Sequence, residues 1–228
     1  MTTMNNLEVP INPGEKHVLG VMGLDNSHTM LGHPIKELNN GLKEFENALM
    51  EDELARGRAD IRILAFNNEV ESVCDWCPAC EFNAPSLEAH GLTAMNQAIN
   101  DALDEIEVRT DWYKNNGVQF YKPWLFLLTD GSPTDTELGE STRARLRSEI
   151  LKGLNFYPMA IGPNADSENL RSYYPEGWKD KMVLHASKEN FKEAFVYISK
   201  SIAEVLKAAP ENRETEQESL PEFLTAGS

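Results

Sequence analysis

Two apolar runs that each stop on an aspartate constrain this chain most. His17-Val-Leu-Gly-Val-Met-Gly-Leu-Asp25 and Pro123-Trp-Leu-Phe-Leu-Leu-Thr-Asp130 hold almost no polar side chain before the acid. A half-buried strand alternates polar and apolar, whereas a strand buried on both faces reads as one continuous apolar run. Such strands belong to parallel sheets covered by helices. In those sheets ligands collect beyond the carboxyl ends of the strands, near the point where strand order reverses. Asp25 and Asp130 stand at two such ends.

The rest of the chain fits this frame. Ile35, Leu38, Leu42, Phe45 and Leu49 recur at steps of three and four and predict a helix from about Pro34 to Ala55. Ile61–Phe66 and the alternating Glu69–Cys74 are separated by Asn67-Asn68, which predicts a hairpin and an antiparallel edge strand. Further helices are expected over Ala94–Lys114, Glu137–Leu151, Ser167–Tyr173 and Glu189–Ala208, and further strands over Phe156–Ile161 and Met182–His185. The expected fold is α/β: a doubly wound, mostly parallel six-stranded sheet with one antiparallel edge strand and helices on both faces. Residues 16–209 form one domain in this reading, after an N-terminal arm over 1–15 and before an acidic, Glu-, Pro- and Ser-rich tail over 210–228.

Charge narrows the partners. The 228 residues carry 37 acids against 21 bases, a net charge of −16, with no block of Lys or Arg. Phosphates would be repelled before contact, so nucleic acid and anionic membrane surfaces are poor partners. No apolar run approaches the ~18 residues of a membrane span. Residues 1–15 are polar, without the basic start and apolar stretch of a secretory signal. Three cysteines confined to Cys74, Cys77 and Cys80 cannot staple a chain of this length, and a reducing, cytoplasmic setting is expected.

Each strand-end acid is followed by hydroxyl residues, Asp25-Asn-Ser27-His-Thr29 and Asp130-Gly-Ser132-Pro-Thr134-Asp135. Loop residues at i, i+2 and i+4 can turn their oxygens toward one centre. Carboxylates with neutral hydroxyls suit a hard cation, Mg²⁺ first, with Mn²⁺ or Ca²⁺ as alternatives. An ion with few anionic ligands stays electrophilic and can take a carboxylate from outside. The plain alternative is a capping loop that satisfies free amides at a helix start.

Asp25-x-Ser27-x-Thr29 resembles the metal-ion-dependent adhesion motif of von Willebrand factor type A domains, with Thr29 in place of the second serine. Gly91-Leu-Thr93-Ala-Met95 resembles the loop whose threonine ligates the ion in that family, and Leu127-Leu-Thr-Asp130-Gly131 its second acidic corner. The resemblance implies a metal site on Asp25, Ser27, Thr29, Thr93 and Asp130, and a protein partner that presents an acidic residue to the ion. Asn39-Asn-Gly-Leu42, Thr129-Asp-Gly-Ser-Pro-Thr-Asp135 and Ala160-Ile-Gly-Pro-Asn-Ala-Asp166 narrow it to the tellurium-resistance TerY-like branch. That branch implies a bacterial, cytoplasmic interaction module in stress, tellurite-resistance or phage-defence signalling, working with a kinase or phosphatase of the same gene cluster.

Other readings stay beside this one. Strand-end Asp25 with Asp130 also resembles Mg²⁺-dependent phosphohydrolases of the haloacid-dehalogenase type, but Ser27 stands where those enzymes need a second acid. A scaffold domain with a purely structural ion is the third reading. Cys74, Cys77 and Cys80 could form a second metal or redox site: zinc wants four ligands, which His90, Asp75 or a second chain would have to complete, and a labile Cys77–Cys80 disulfide is the redox version. Ordinary edge-strand cysteines are the plain alternative. His28 reads as a solvated loop residue or a partner contact. Tyr173, Tyr174 and Trp178 read as packing over the sheet edge or as a partner patch.

Overall fold

A computed structural model describes residues 12–163, 165–178, 182–187 and 191–207. Most of the expected arm and the whole acidic tail lie outside these residues.

Six strands, β1 (Val18–Asp25), β2 (Ala59–Phe66), β3 (Val70–Pro78), β4 (Trp124–Thr129), β5 (Asn155–Ile161) and β6 (Leu184–Ala186), form one sheet in the order β3-β2-β1-β4-β5-β6. All pairs are parallel except β2–β3, so β3 is the antiparallel edge. The chain works outward from β1 to β3, crosses back, and works outward again from β4 to β6. Strand order therefore reverses between β1 and β4, the two strands with aspartates at their ends.

The apolar run of β1 is continuous because it feeds two cores. Val18, Met22 and Leu24 pack under α1 (His33–Glu51), α2 (Glu53–Arg58) and α6 (Phe191–Lys207), while Val21 faces α3 (Met95–Asn115), α4 (Gly139–Lys152) and α5 (Ser167–Arg171). Gly41 on α1 marks a close crossing: a Cβ there would lie 2.5 Å from the Phe195 ring of α6. No helix of the described residues is long and apolar enough to cross a membrane.

Most element ends fall within two residues of the sequence reading, and two regions depart from it in kind. The single helix expected over Pro34–Ala55 is two helices, because Asp52 turns extended and its carboxylate accepts from Leu54 N at 3.0 Å and Ala55 N at 2.9 Å. An N-cap in mid-run is invisible to apolar periodicity, since Leu49 and Ala55 stay buried on either side of it. The hairpin loop holds three residues, Asn67 to Glu69, and β3 continues past Cys74 to Pro78 through two register shifts. Those irregularities break the two-residue period that marks a strand's extent in the sequence.

Tyr173 and Tyr174 are buried, and their hydroxyls donate to Asn96 Oδ1 at 2.6 Å and to Phe156 O at 2.8 Å. Trp178 is partly exposed at 37%. The two tyrosines are packing residues.

Candidate metal centre

The site sits where β1 and β4 end. Past Asp25 the chain enters a short 3-10 turn, His28–Met30, with Ser27 at its start. Asp25, Ser27, Thr93, Thr129 and Asp130 are all buried, whereas His28 and Thr29 are exposed. The chemistry thus lies at the floor of a loop cluster and reaches solvent at Thr29.

A chain of short contacts joins the two acids. Ser27 N donates to Asp25 Oδ1 at 2.8 Å, Ser27 Oγ lies 2.9 Å from Thr29 Oγ1, and Thr29 Oγ1 donates to Asp130 Oδ1 at 2.6 Å.

Asp25 Oδ2 accepts from Thr129 Oγ1 at 2.6 Å. Burial pushes the Asp25 pKa above the usual carboxylate range; hydrogen bonds from Ser27 and Thr129 oppose the rise, and the Asp130 charge adds to it. The charge acting on Asp25 is therefore another acid. Two buried carboxylates close enough to raise each other's cost of ionising favour a cation beside them.

Thr93 is brought to the same place by neighbouring loops. Gly91, at φ +73°, adopts a conformation that side chains disfavour, and its carbonyl accepts from His28 N at 3.1 Å. Asn26 Nδ2 donates to Glu88 O at 3.0 Å, and Leu92 N donates to Asn68 Oδ1 at 2.9 Å. On the other side Thr134 N donates to Thr93 O at 2.9 Å and Thr93 N to Thr134 Oγ1 at 3.1 Å. Thr93 Oγ1 lies 3.9 Å from where a Cβ on Gly131 would sit. All five residues expected at the site thus belong to one loop cluster at the β1–β4 end.

The donor set fits a hard divalent ion: two carboxylates and three hydroxyls, all oxygen, around a buried acid whose charge is disfavoured. Among the described residues no group of three or more His, Cys, Asp or Glu gathers into a metal cluster. The hydroxyls of Ser27, Thr29 and Thr93 would supplement the two acids in an ion's shell.

Several contributors escaped the sequence reading. Thr129 reads as the last residue of an apolar strand, yet it holds Asp25. Asn67 and Asn68 read as a turn, yet Asn67 Nδ2 donates to Asn26 Oδ1 at 3.2 Å and Asn68 braces the loop that carries Thr93. Asp135 caps α3 from a distance, accepting from Asn96 N at 3.2 Å and Gln97 N at 2.8 Å. Asparagines at a strand end are the one signal that could have suggested this bracing.

The cysteines lie, as the plain reading has them, on the edge strand and the loop after it, but the two that meet are not the pair named for a disulfide. Cys74 Sγ lies 3.6 Å from Cys77 Sγ, whereas Cys80 sits in the following 3-10 turn. The residues proposed to complete a zinc shell are engaged elsewhere. His90 Nδ1 lies 3.3 Å from Glu88 O, and Asp75 accepts from Arg62 at 3.1 Å and Ser72 at 2.8 Å. Cys77 is thus presented to Cys74, the partner the sequence reading did not choose.

No protein-family model matches the chain, and no curated protein matches it. Solved structures do. The von Willebrand factor domain of the type V pili tip protein Mfa5 from Porphyromonas gingivalis superposes with a TM-score of 0.66 at 10% identity, covering 86% of this chain and 98% of that one. A von Willebrand factor type A protein from Catenulispora acidiphila gives 0.58 at 16% identity, over 82% of this chain and 43% of that one. Proximal thread matrix protein 1 from the mussel byssus, with a zinc-occupied MIDAS motif, gives 0.57 at 14% identity, over 83% and 46%. The chain spans nearly all of the first and less than half of the other two. Its fold is that of the von Willebrand factor type A domain.

Proposed function

We propose that this chain is a metal-ion-dependent protein-binding module. The observation that carries the reading is the relay Asp25–Ser27–Thr29–Asp130 at the sheet's switch point, with Thr93 in the facing loop. Asp25, Ser27, Thr29, Thr93 and Asp130 hold the ion, Mg²⁺ in preference to Mn²⁺ or Ca²⁺. The bound ion supplies a positive, Lewis-acidic centre for a carboxylate oxygen of a partner protein. On a surface of net charge −16, that ion would be a strong local attractor for an acidic side chain. A structural neighbour whose MIDAS motif holds zinc, and another that is a pilus-tip domain, support the same use of the fold.

The finer assignment rests on the sequence resemblance to the TerY-like branch. It places the chain in the bacterial cytoplasm, in stress, tellurite-resistance or phage-defence signalling, with a kinase or phosphatase of its gene cluster as partner. A non-catalytic role is favoured because Ser27 occupies the position where a phosphohydrolase would carry its general acid.

Affinity purification of the full chain from its own cell, with Mg²⁺ and with EDTA, tests the reading. Partner capture should be lost in EDTA and in Asp25→Ala. Capture that persists unchanged in both would overturn it. Mg²⁺-dependent turnover of an aryl phosphate that disappears in Asp25→Asn would establish the hydrolase instead.

A further inference from the structure

The edge strand β3 carries a feature that the metal centre does not use. In a regular strand, residues three apart point to opposite faces of the sheet. Cys74 and Cys77 are three apart, yet their sulfurs lie 3.6 Å from each other.

The pairing with β2 explains this. Ile63 stands opposite Cys74 and Ile61 opposite Cys77, so two steps on β2 match three on β3. The extra residue is a β-bulge, which reverses the parity of one strand. Ile61 and Ile63 both face the α1/α6 core, and both thiols pack against that same core. The intervening side chains turn the other way: Trp76 Nε1 donates to Glu105 at 3.2 Å on α3.

We infer that Cys74 and Cys77 form a redox-modification site, a dithiol set by the bulge to close into an intrastrand disulfide when it meets a peroxide. Both residues are half-buried on the outermost strand. Among the described residues no strand lies beyond β3 to resist adjustment. Closing to an S–S bond of ~2.05 Å moves the sulfurs about 1.5 Å.

The two thiols differ in role. The hydrogen bond with Cys77 lowers the pKa of Cys74; burial and Asp75 oppose this, and Arg62 assists. Cys77 is shifted the opposite way, first by that hydrogen bond and then by burial. Cys74 is accordingly the attacking thiolate and Cys77 the resolving thiol.

The Cys74 thiolate attacks one peroxide oxygen, breaks the O–O bond and becomes a sulfenic acid, releasing hydroxide. Cys77 sulfur then attacks Cys74 sulfur, the S–O bond breaks, and water leaves with the Cys77 proton. The hydroxide takes up the proton that Cys74 gave up. Two thiols are oxidised by two electrons in total, and one peroxide is reduced to two waters.

The test treats the full chain with equimolar hydrogen peroxide and then measures its mass. A loss of two hydrogens, restored by dithiothreitol, is expected in the native chain and equally in Cys80→Ser. Cleavage before Asp75 after denaturation separates Cys74 from Cys77 and Cys80, and the two fragments should remain linked until reduction. In Cys77→Ser the Cys74 sulfenic acid should persist and be captured by dimedone. Proximity should make closure at least roughly tenfold faster in the native chain than in guanidinium. Fragments that fall apart before reduction, a bridge that vanishes in Cys80→Ser, or equal rates in native and unfolded chain would overturn the assignment.

Discussion

Each end of the central sheet buries an aspartate, and the two ends treat it in opposite ways. At the amino end, Asp60 of β2 accepts from Arg109 Nη2 at 2.7 Å, and the Tyr113 hydroxyl donates to the same oxygen. The Arg109 guanidinium in turn lies 5.7, 5.2 and 5.0 Å from the ring centroids of Trp76, Trp112 and Tyr113. Burial and the Asp60 charge push the Tyr113 hydroxyl far above its ordinary pKa, so it remains a donor. At the carboxyl end, Asp25 is equally buried but is held by hydroxyls and an amide and feels the charge of a second acid. The first end contains its own cation and serves the fold. The second is built of two acids and the hydroxyls around them, which a cation from outside would complete in the binding role proposed above.

The largest effect expected from this contrast is at the closed end. Arg109→Met would leave Asp60 charged, buried and short of its guanidinium, and should cost about 3–5 kcal/mol in urea unfolding. Adding Asp60→Asn should recover much of that loss. A cost below ~1 kcal/mol would mean that the amino-end pair is not a structural clasp, and the contrast fails at that end.

The open end should respond to metal instead. Full-length wild type titrated with Mg²⁺ should gain stability, about 2.7 kcal/mol at a hundredfold excess over Kd. Asp25→Asn keeps an acceptor for Ser27 N but removes the charge. It should fold without metal and gain nothing from Mg²⁺ in the same thermal titration. A Mg²⁺ response that survives Asp25→Asn would move the ion away from this site.

How far these two ends were legible follows from the range of the signals. Asp25 and Asp130 could be found because each terminates a run buried on both faces, which is a local pattern. Ser27 and Thr29 followed from loop spacing, and Thr93 only from a resemblance, because its position depends on hydrogen bonds to Thr134, which is 41 residues away. The Asp60–Arg109 pair spans 49 residues, and neither partner sits in a pattern that points to the other. The same limit hid Thr129, which looks like a strand former, and the Cys74–Cys77 contact, which exists only because a bulge breaks the strand period. Periodicity locates elements and their ends; it does not report caps, bulges or contacts that a fold makes between distant segments.

Thr129→Val separates the hydroxyl shell from the acids. It leaves shape nearly unchanged but removes the donor on Asp25 Oδ2, and a hydrogen bond to a charged group is worth about 1.5–3 kcal/mol. The loss should be largest without metal and shrink as Mg²⁺ saturates, because the ion takes over neutralising the carboxylate. A loss independent of Mg²⁺ would assign Thr129 to the fold alone.

The smallest effect is expected at Thr29, and it tests how finely the open end is tuned. Threonine and serine offer the same oxygen, and Thr29 is exposed, so its methyl group is not wedged into either core. Thr29→Ser should therefore change Mg²⁺ affinity by no more than about threefold, since it preserves the charge-assisted bond to Asp130. Thr29→Ala removes the hydroxyl that links Ser27 to Asp130, and affinity should fall by about tenfold or more, the scale of a lost bond to a charged group. Equal affinities for the serine and alanine variants in isothermal titration would show that Thr29 lies beside the ion's shell without contributing to it. The open end would then rest on the two acids, Ser27 and Thr93.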